Sequence, residues 1–335
     1  MLPAPLHLLD DLAAGAGAGL RDGLRGRNRR AVVEALRDQG RGGAVRTAVM
    51  PDGARLHVEV DEGDPGAVAL VHVHGFSLDL TNWRAQRPAL ADLASRRVFY
   101  DQRCFGRSKD VPAAAPSMRL LAADLAEVVA QVAPGQRVVL VGHSMGVMVV
   151  AALAGLRPDL FGPVVAGTVL VAGNANDLHR TDYGLGALAP YAHAHAPELM
   201  QALGRVPGVE RATGFPTYVA IARTFMCHET APHEVLRACA AMVSQNRLAV
   251  LGAWARAMYA HDERAALPVL GRVPCTVVAA AQDRFIPGEA TSLLAREVPG
   301  AELVVVERSG HMVPLEHPDA VERAVRDVLA RASRA

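Results

Sequence analysis

The chain is short of the features that would tie it to a membrane, a nucleic acid or an oxidising compartment. No uncharged apolar run approaches the roughly 20 residues a bilayer span needs. No charge excess exists either: 35 basic and 34 acidic side chains leave a formal net charge of +1, which excludes a basic footprint for nucleic acid. The five arginines of "RDGLRGRNRR" at 21–30 come without interleaved aromatics and read as a solvated face. The 4 cysteines, Cys104, Cys227, Cys239 and Cys275, are scattered and form no CxxC pair, so reduced thiols are expected rather than a disulfide framework. The opening "MLPAPLHLLDDLAAG" has no basic start and soon meets Asp10 and Asp11, unlike a secretory signal. A cytoplasmic protein is expected, without nucleic-acid partner, membrane span or cofactor.

What is present is a long, half-apolar chain: 335 residues, 51% hydrophobic and 21% charged, enough for one large core or two smaller ones. Residues 1–43, rich in Ala, Gly and Arg with a possible helix near 28–38, read as an N-terminal extension. Two alternating segments flank Pro51-Asp52-Gly53 and predict a hairpin. Short β-branched runs follow at 67–73, 96–100, 137–142, 167–172, 275–281 and 301–306. Without polar alternation, such runs predict strands buried on both faces of a parallel sheet. Helical patterns at 118–132, 145–156 and 318–332 lie between or after them, so the fold class expected is α/β, doubly wound and mostly parallel. From 174 to 265 no strand-like run occurs, which predicts a helical cap inserted into a core of 44–173 and 266–335.

Chemistry gathers at the predicted strand ends. Gly142-His143-Ser144-Met145-Gly146 is a G-x-S-x-G frame between a strand and a helix, the context in which a serine is presented as a nucleophile on a strained turn. A serine hydroxyl needs a base, and the base a carboxylate. Asp283 follows "CTVVAAA" and His311 follows "AELVVV", so Ser, Asp and His arrive in order at one sheet edge. His74-Gly75-Phe76 follows another strand. The backbone N–H groups of Phe76 and Met145 are the candidate oxyanion donors; losing one such donor typically costs about 2.7–4 kcal/mol. Plainer readings stand beside these: Ser144 as a helix N-cap, Asp283 opening a turn, His311 as structural, and Asp177 as the alternative acid. His74 and His143 are expected to hold local structure, and His317 to start a helix. His193 and His195 form H-x-H without an evident third ligand, so no metal is expected.

These motifs together resemble the α/β-hydrolase superfamily, and more narrowly actinobacterial hydrolases of esterase or lipase type. The likeness rests on "HVHGFSLDLTNW", "FYDQRCFGRS", "VVLVGHSMG", "AAQDRFIP" and "SGHMVPLEHPDAV", spanning about 45–172 and 265–333. It implies an eight-stranded sheet with a helical cap. It also implies a Ser144–His311–Asp283 triad cleaving a carboxylic ester or thioester of a mostly apolar small molecule through an acyl-enzyme. Relatives usually read D-x-R-G-x-G-x-S where this chain has Asp101-Gln102-Arg103-Cys104-Phe105-Gly106, and carry a second glycine where it has Val147. Val147 is expected to narrow helix packing or the pocket floor, and it is a candidate substrate contact together with Met226 and Met242 from the cap. Alternatives of other classes are elimination of a small acid such as acetate in natural-product biosynthesis, acyl transfer, and a non-catalytic receptor. Serine at 144 argues against the dehalogenase and epoxide-hydrolase branches, which use an aspartate there.

Overall fold

The structure is a computed structural model that describes residues 41–109, 115–176, 178, 187, 189–206, 208–209 and 214–334. The expected helix near 28–38 and Asp177 lie outside the described residues. Eight strands form one sheet: β1 (Ala44–Val49), β2 (Arg55–Asp61), β3 (Ala69–Val73), β4 (Arg97–Tyr100), β5 (Val138–His143), β6 (Val165–Val171), β7 (Cys275–Ala280) and β8 (Glu302–Val306). Their spatial order is β1-β2-β4-β3-β5-β6-β7-β8. The β1–β2 hairpin turns at Pro51-Asp52-Gly53, and β2 joins β4 antiparallel. All pairs from β4–β3 to β7–β8 are parallel.

The sequence explains the order of burial. β3, β5, β6 and β7 are continuous apolar runs and are buried throughout, as strands covered on both faces must be. β8 departs from that expectation. It is an edge strand, paired among the described residues with β7 alone, and Leu303, Val304 and Val305 remain 41%, 36% and 49% exposed.

Helices cover both faces. On one, α1 (Met118–Val132) and α2 (Met145–Leu156) share a core with strand residues such as Val71 and Leu140. Helix α2 is apolar around its whole girth and buried from Met145 to Ala154, as a helix wedged between sheet and neighbours requires.

Between β6 and β7 lie α3 (Ala189–Leu203), α4 (Phe215–Ile221), α5 (His233–Val243) and α6 (Leu248–Tyr259). Helices α3 and α6 pack on each other, as do α4 and α5. A small core of this segment, with Ala222, Leu236, Cys239 and Met242, takes in Leu78 and Met312 from two loops of the sheet. After β7 comes α7 (Gly288–Glu297), which packs back on that strand. The last helix, α8 (Pro318–Ala332), buries Val321, Val325 and Val328 on the opposite face with Trp83 and Leu90. Among the described residues no helix is long and apolar enough to cross a membrane.

Candidate active site

Ser144 sits between β5 and α2 with φ 55° and ψ −119°. A non-glycine residue in that region costs on the order of 1–3 kcal/mol and persists only where its surroundings enforce it. The enforcement is visible. Ser144 N–H donates to the Val171 carbonyl at 2.9 Å, and its own carbonyl accepts from Val147 N–H at 2.8 Å. The flanking glycines are steric necessities. A Cβ on Gly146 would lie 2.2 Å from the Val73 carbonyl oxygen, and one on Gly142 2.8 Å from the Gly146 carbonyl oxygen.

The loops after β7 and β8 bring the other two side chains to this turn. His311 Nε2 lies 2.9 Å from Ser144 Oγ, and Nδ1 2.8 Å from Asp283 Oδ2. The carboxylate can only accept, so Nδ1 carries the proton and Nε2 presents its lone pair to the hydroxyl. Asp283 Oδ1 accepts from the backbone N–H groups of Phe285 (2.7 Å) and Ile286 (2.9 Å), which fixes the carboxylate's rotation. All three side chains are buried.

The His311 loop is held from two sides. His143 Nε2 donates to the His311 carbonyl at 2.9 Å, while Asn82 Nδ2 approaches His143 Nδ1 at 3.4 Å. Burial first, then the neighbouring His311, pushes the His143 pKa well down, so this ring stays neutral with one donor and one acceptor. Glu316 accepts from Gly310 N–H (3.2 Å), Met312 N–H (3.1 Å) and His228 N–H (2.7 Å). That carboxylate thus ties both neighbours of His311 to the segment between α4 and α5. Neither Asn82 nor Glu316 stood out in the sequence. Their partners lie far along the chain or are backbone groups, which leave no motif.

His74 holds the loop that bears Phe76. Its Nδ1 donates to the Gly75 carbonyl (2.8 Å), and its Nε2 accepts from Gln102 N–H (2.9 Å). A Cβ on Gly75 would come within 3.0 Å of Ser144 Cβ, so glycine lets this loop close on the serine. Phe76, Ser77, Ser144 and His311 open onto a cavity of about 300 Å³, whose wall is otherwise mainly apolar: Tyr218, Phe225, Met226, Leu251 and Phe285.

The pocket residues expected from the sequence divide. Met226 lines the cavity; Val147 and Met242 do not. Val147 points into the core under the turn, where a Cβ on Gly173 would sit 2.5 Å from its Cβ. The bulk gained at 147 is thus matched by glycine at 173. Met242 packs with Leu78, Cys227 and Met312. Among the altered rim residues, Cys104 adopts φ 72°, a conformation that favours glycine. Phe105 packs at ring distances of 6.2 Å on Phe76 and 6.1 Å on Trp254, bridging the Phe76 loop and α6. The His193 ring lies against Tyr259 and the His195 ring against Tyr191. All 4 cysteines are buried and none forms a disulfide.

The chain is similar to known proteins over most of its length. A model of the alpha/beta hydrolase family matches residues 70–324. The dihydrolipoyllysine-residue acetyltransferase component of the acetoin cleaving system of Pseudomonas putida is 29% identical over 300 residues, covering 87% of this chain and 71% of that protein. The 2-hydroxy-6-oxononadienedioate/2-hydroxy-6-oxononatrienedioate hydrolase of Burkholderia vietnamiensis is 26% identical over 84% of this chain and 94% of its own. A thermophilic esterase from Thermogutta terrifontis, solved with malate bound, superposes with a TM-score of 0.70 at 25% identity, covering 87% of this chain and 99% of that one.

Proposed function

The chain belongs to the alpha/beta hydrolase family and is an enzyme of the hydrolase type; on that premise we propose that it cleaves a carboxylic ester or thioester through a serine acyl-enzyme. Ser144 Oγ attacks the carbonyl carbon while His311 Nε2 takes its proton, and Asp283 stabilises the imidazolium. The N–H groups of Phe76 and Met145 hold the oxyanion, with the N-terminus of α2 adding its dipole. His311 then protonates the leaving alcohol or thiol. Water, deprotonated by the same nitrogen, releases the acid and restores the serine. The helices between β6 and β7 serve as a cap over the site, and the core comprises 44–173 and 266–335. Met226 contacts substrate from the cap side.

The observation that carries this reading is the unbroken chain from Ser144 Oγ through His311 to Asp283, at 2.9 and 2.8 Å, opening on a mainly apolar cavity of small-molecule size. The apolar wall favours an uncharged acyl or alcohol moiety. The test is hydrolysis of p-nitrophenyl esters of graded chain length by the wild type, Ser144→Ala and His311→Ala. Both variants should lose turnover by several orders of magnitude while keeping the native circular-dichroism spectrum. Retention of most activity by either contradicts the mechanism.

A further inference from the structure

Asn246 lies in the bend between α5 and α6 and contributes to the cavity wall. Its Nδ2 donates to the backbone carbonyls of Ser77 (2.7 Å), Met242 (3.0 Å) and Val243 (3.1 Å). Three acceptors converging on one atom identify it as the nitrogen and fix the rotation of the amide. The oxygen is turned away from that cluster of carbonyls. Asn246 is half-buried, and on an otherwise mainly apolar wall its oxygen is an acceptor that a substrate donor can meet.

The position of this amide defines where the donor would be. Ser77, whose carbonyl Asn246 grips, follows Phe76 directly and has φ 61°. Consecutive Cα atoms are 3.8 Å apart, so the amide lies within roughly 10 Å of the site where the scissile carbonyl oxygen would rest. That is the reach of a substituent a few bonds from the reacting carbon, not of a distant tail.

We propose that Asn246 determines specificity: its Oδ1 accepts a hydrogen bond from a hydroxyl on the substrate a few bonds from the scissile carbonyl, so that the preferred substrates are hydroxylated esters with an otherwise apolar body. The proposal rests on the serine-hydrolase reading and narrows it. An apolar analogue forfeits that bond. A preference of about tenfold for the hydroxylated partner follows at the one position that meets Oδ1.

The test separates binding from turnover. Calorimetry on the Ser144→Ala protein compares methyl octanoate with its 3-, 5- and 7-hydroxy derivatives, and repeats the series with Asn246→Ala added. The expected result is about tenfold tighter binding of one hydroxy ester, with the preference lost in the double variant. No preference in Ser144→Ala, or one that survives Asn246→Ala, overturns the proposal. A uniform loss of affinity for every ester also overturns it, because it assigns Asn246 only to holding the Ser77 loop. If the alanine variant does not fold, Asn246→Leu fills a similar volume without an acceptor and gives the same readout. Turnover of these esters by the wild type reports separately on the hydrolase reading: binding preference without turnover sinks that reading, and with it the claim that hydroxylated esters are substrates.

Discussion

Replacing Gly173 by alanine should damage the serine turn, and removing the side chain of Val147 should largely undo the damage. The new Cβ would lie 2.5 Å from both Cβ and Cγ2 of Val147 and 3.0 Å from the Ser144 carbonyl oxygen. Carbon atoms in ordinary contact stand about 3.5–4.0 Å apart, so the overlap is about 1 Å, against a side chain with 0% exposure. Overpacking of this kind costs about 1–3 kcal/mol. Val147→Ala would not relieve it, because its Cβ remains; Val147→Gly does. Alone, Val147→Gly loses a buried side chain worth about 1.5–3 kcal/mol and adds about 0.5–1 kcal/mol for glycine within a helix. In the double variant the clash with Val147 is gone and only the 3.0 Å approach to the Ser144 carbonyl oxygen remains, so its destabilisation should fall short of the sum of the singles by about 1–3 kcal/mol. Urea unfolding of the four proteins measures this coupling. Hydrolase activity should follow it, since Val147 N–H bonds to the Ser144 carbonyl at 2.8 Å. Additivity within about 0.5 kcal/mol would refute the pairing of these positions.

Further predictions concern the site and its supports. In Asp283→Asn the carbonyl oxygen should stay with the Phe285 and Ile286 amides, turning the NH₂ group toward His311 Nδ1. That enforces the wrong tautomer, and kcat should drop on the order of 10⁴ with KM little changed in steady-state kinetics; a drop below tenfold contradicts the geometry. Glu316→Ala strands three backbone donors, each costing about 1–3 kcal/mol where no water reaches it. Thermal unfolding should therefore show a loss of at least several degrees, with kcat also reduced. Glu59 offers a pH test. Burial would raise its pKa, but hydrogen bonds from His57, the Gly42 amide and Arg87 outweigh that and hold it at about 2, against 4.5 unperturbed. A depressed folded-state pKa gives stability that is full above about 4.5 and lost as pH falls toward 2. At about 1.4 kcal/mol per unit this is on the order of 3 kcal/mol, and Glu59→Gln should flatten that part of the acid-unfolding curve.

Much of the fold was legible in short patterns. Continuous β-branched runs gave the buried strands, Pro51-Asp52-Gly53 gave the hairpin, and the boundaries of α1, α2 and α8 agree with the periodicity. The side chains that motif and order singled out, Ser144, Asp283 and His311, do lie within hydrogen-bond distance of one another in sequence of contact. Other features were not legible, for a common physical reason. Asn246 meets Ser77 across 169 residues and His143 meets the His311 carbonyl across 168. Such contacts involve backbone groups on one side, and a backbone group has no letter in the sequence. Val147 left two readings open, helix packing or the pocket floor; it packs in the core under the turn, in space that glycine at 173 leaves free, and position 173 carried no signal of that pairing. The exposure of β8 likewise follows from its place at the sheet edge, which its own composition does not encode.

The central claim is that Ser144 is an activated nucleophile, and covalent labelling tests it most directly. The protein is treated with a fluorophosphonate and weighed intact by mass spectrometry, with Ser144→Ala alongside. One adduct on the wild type and none on the variant is the predicted result. Labelling that persists in Ser144→Ala, or an unlabelled wild type under conditions that label a control serine esterase, contradicts the account; the second outcome would turn attention to elimination chemistry with His311 as the base.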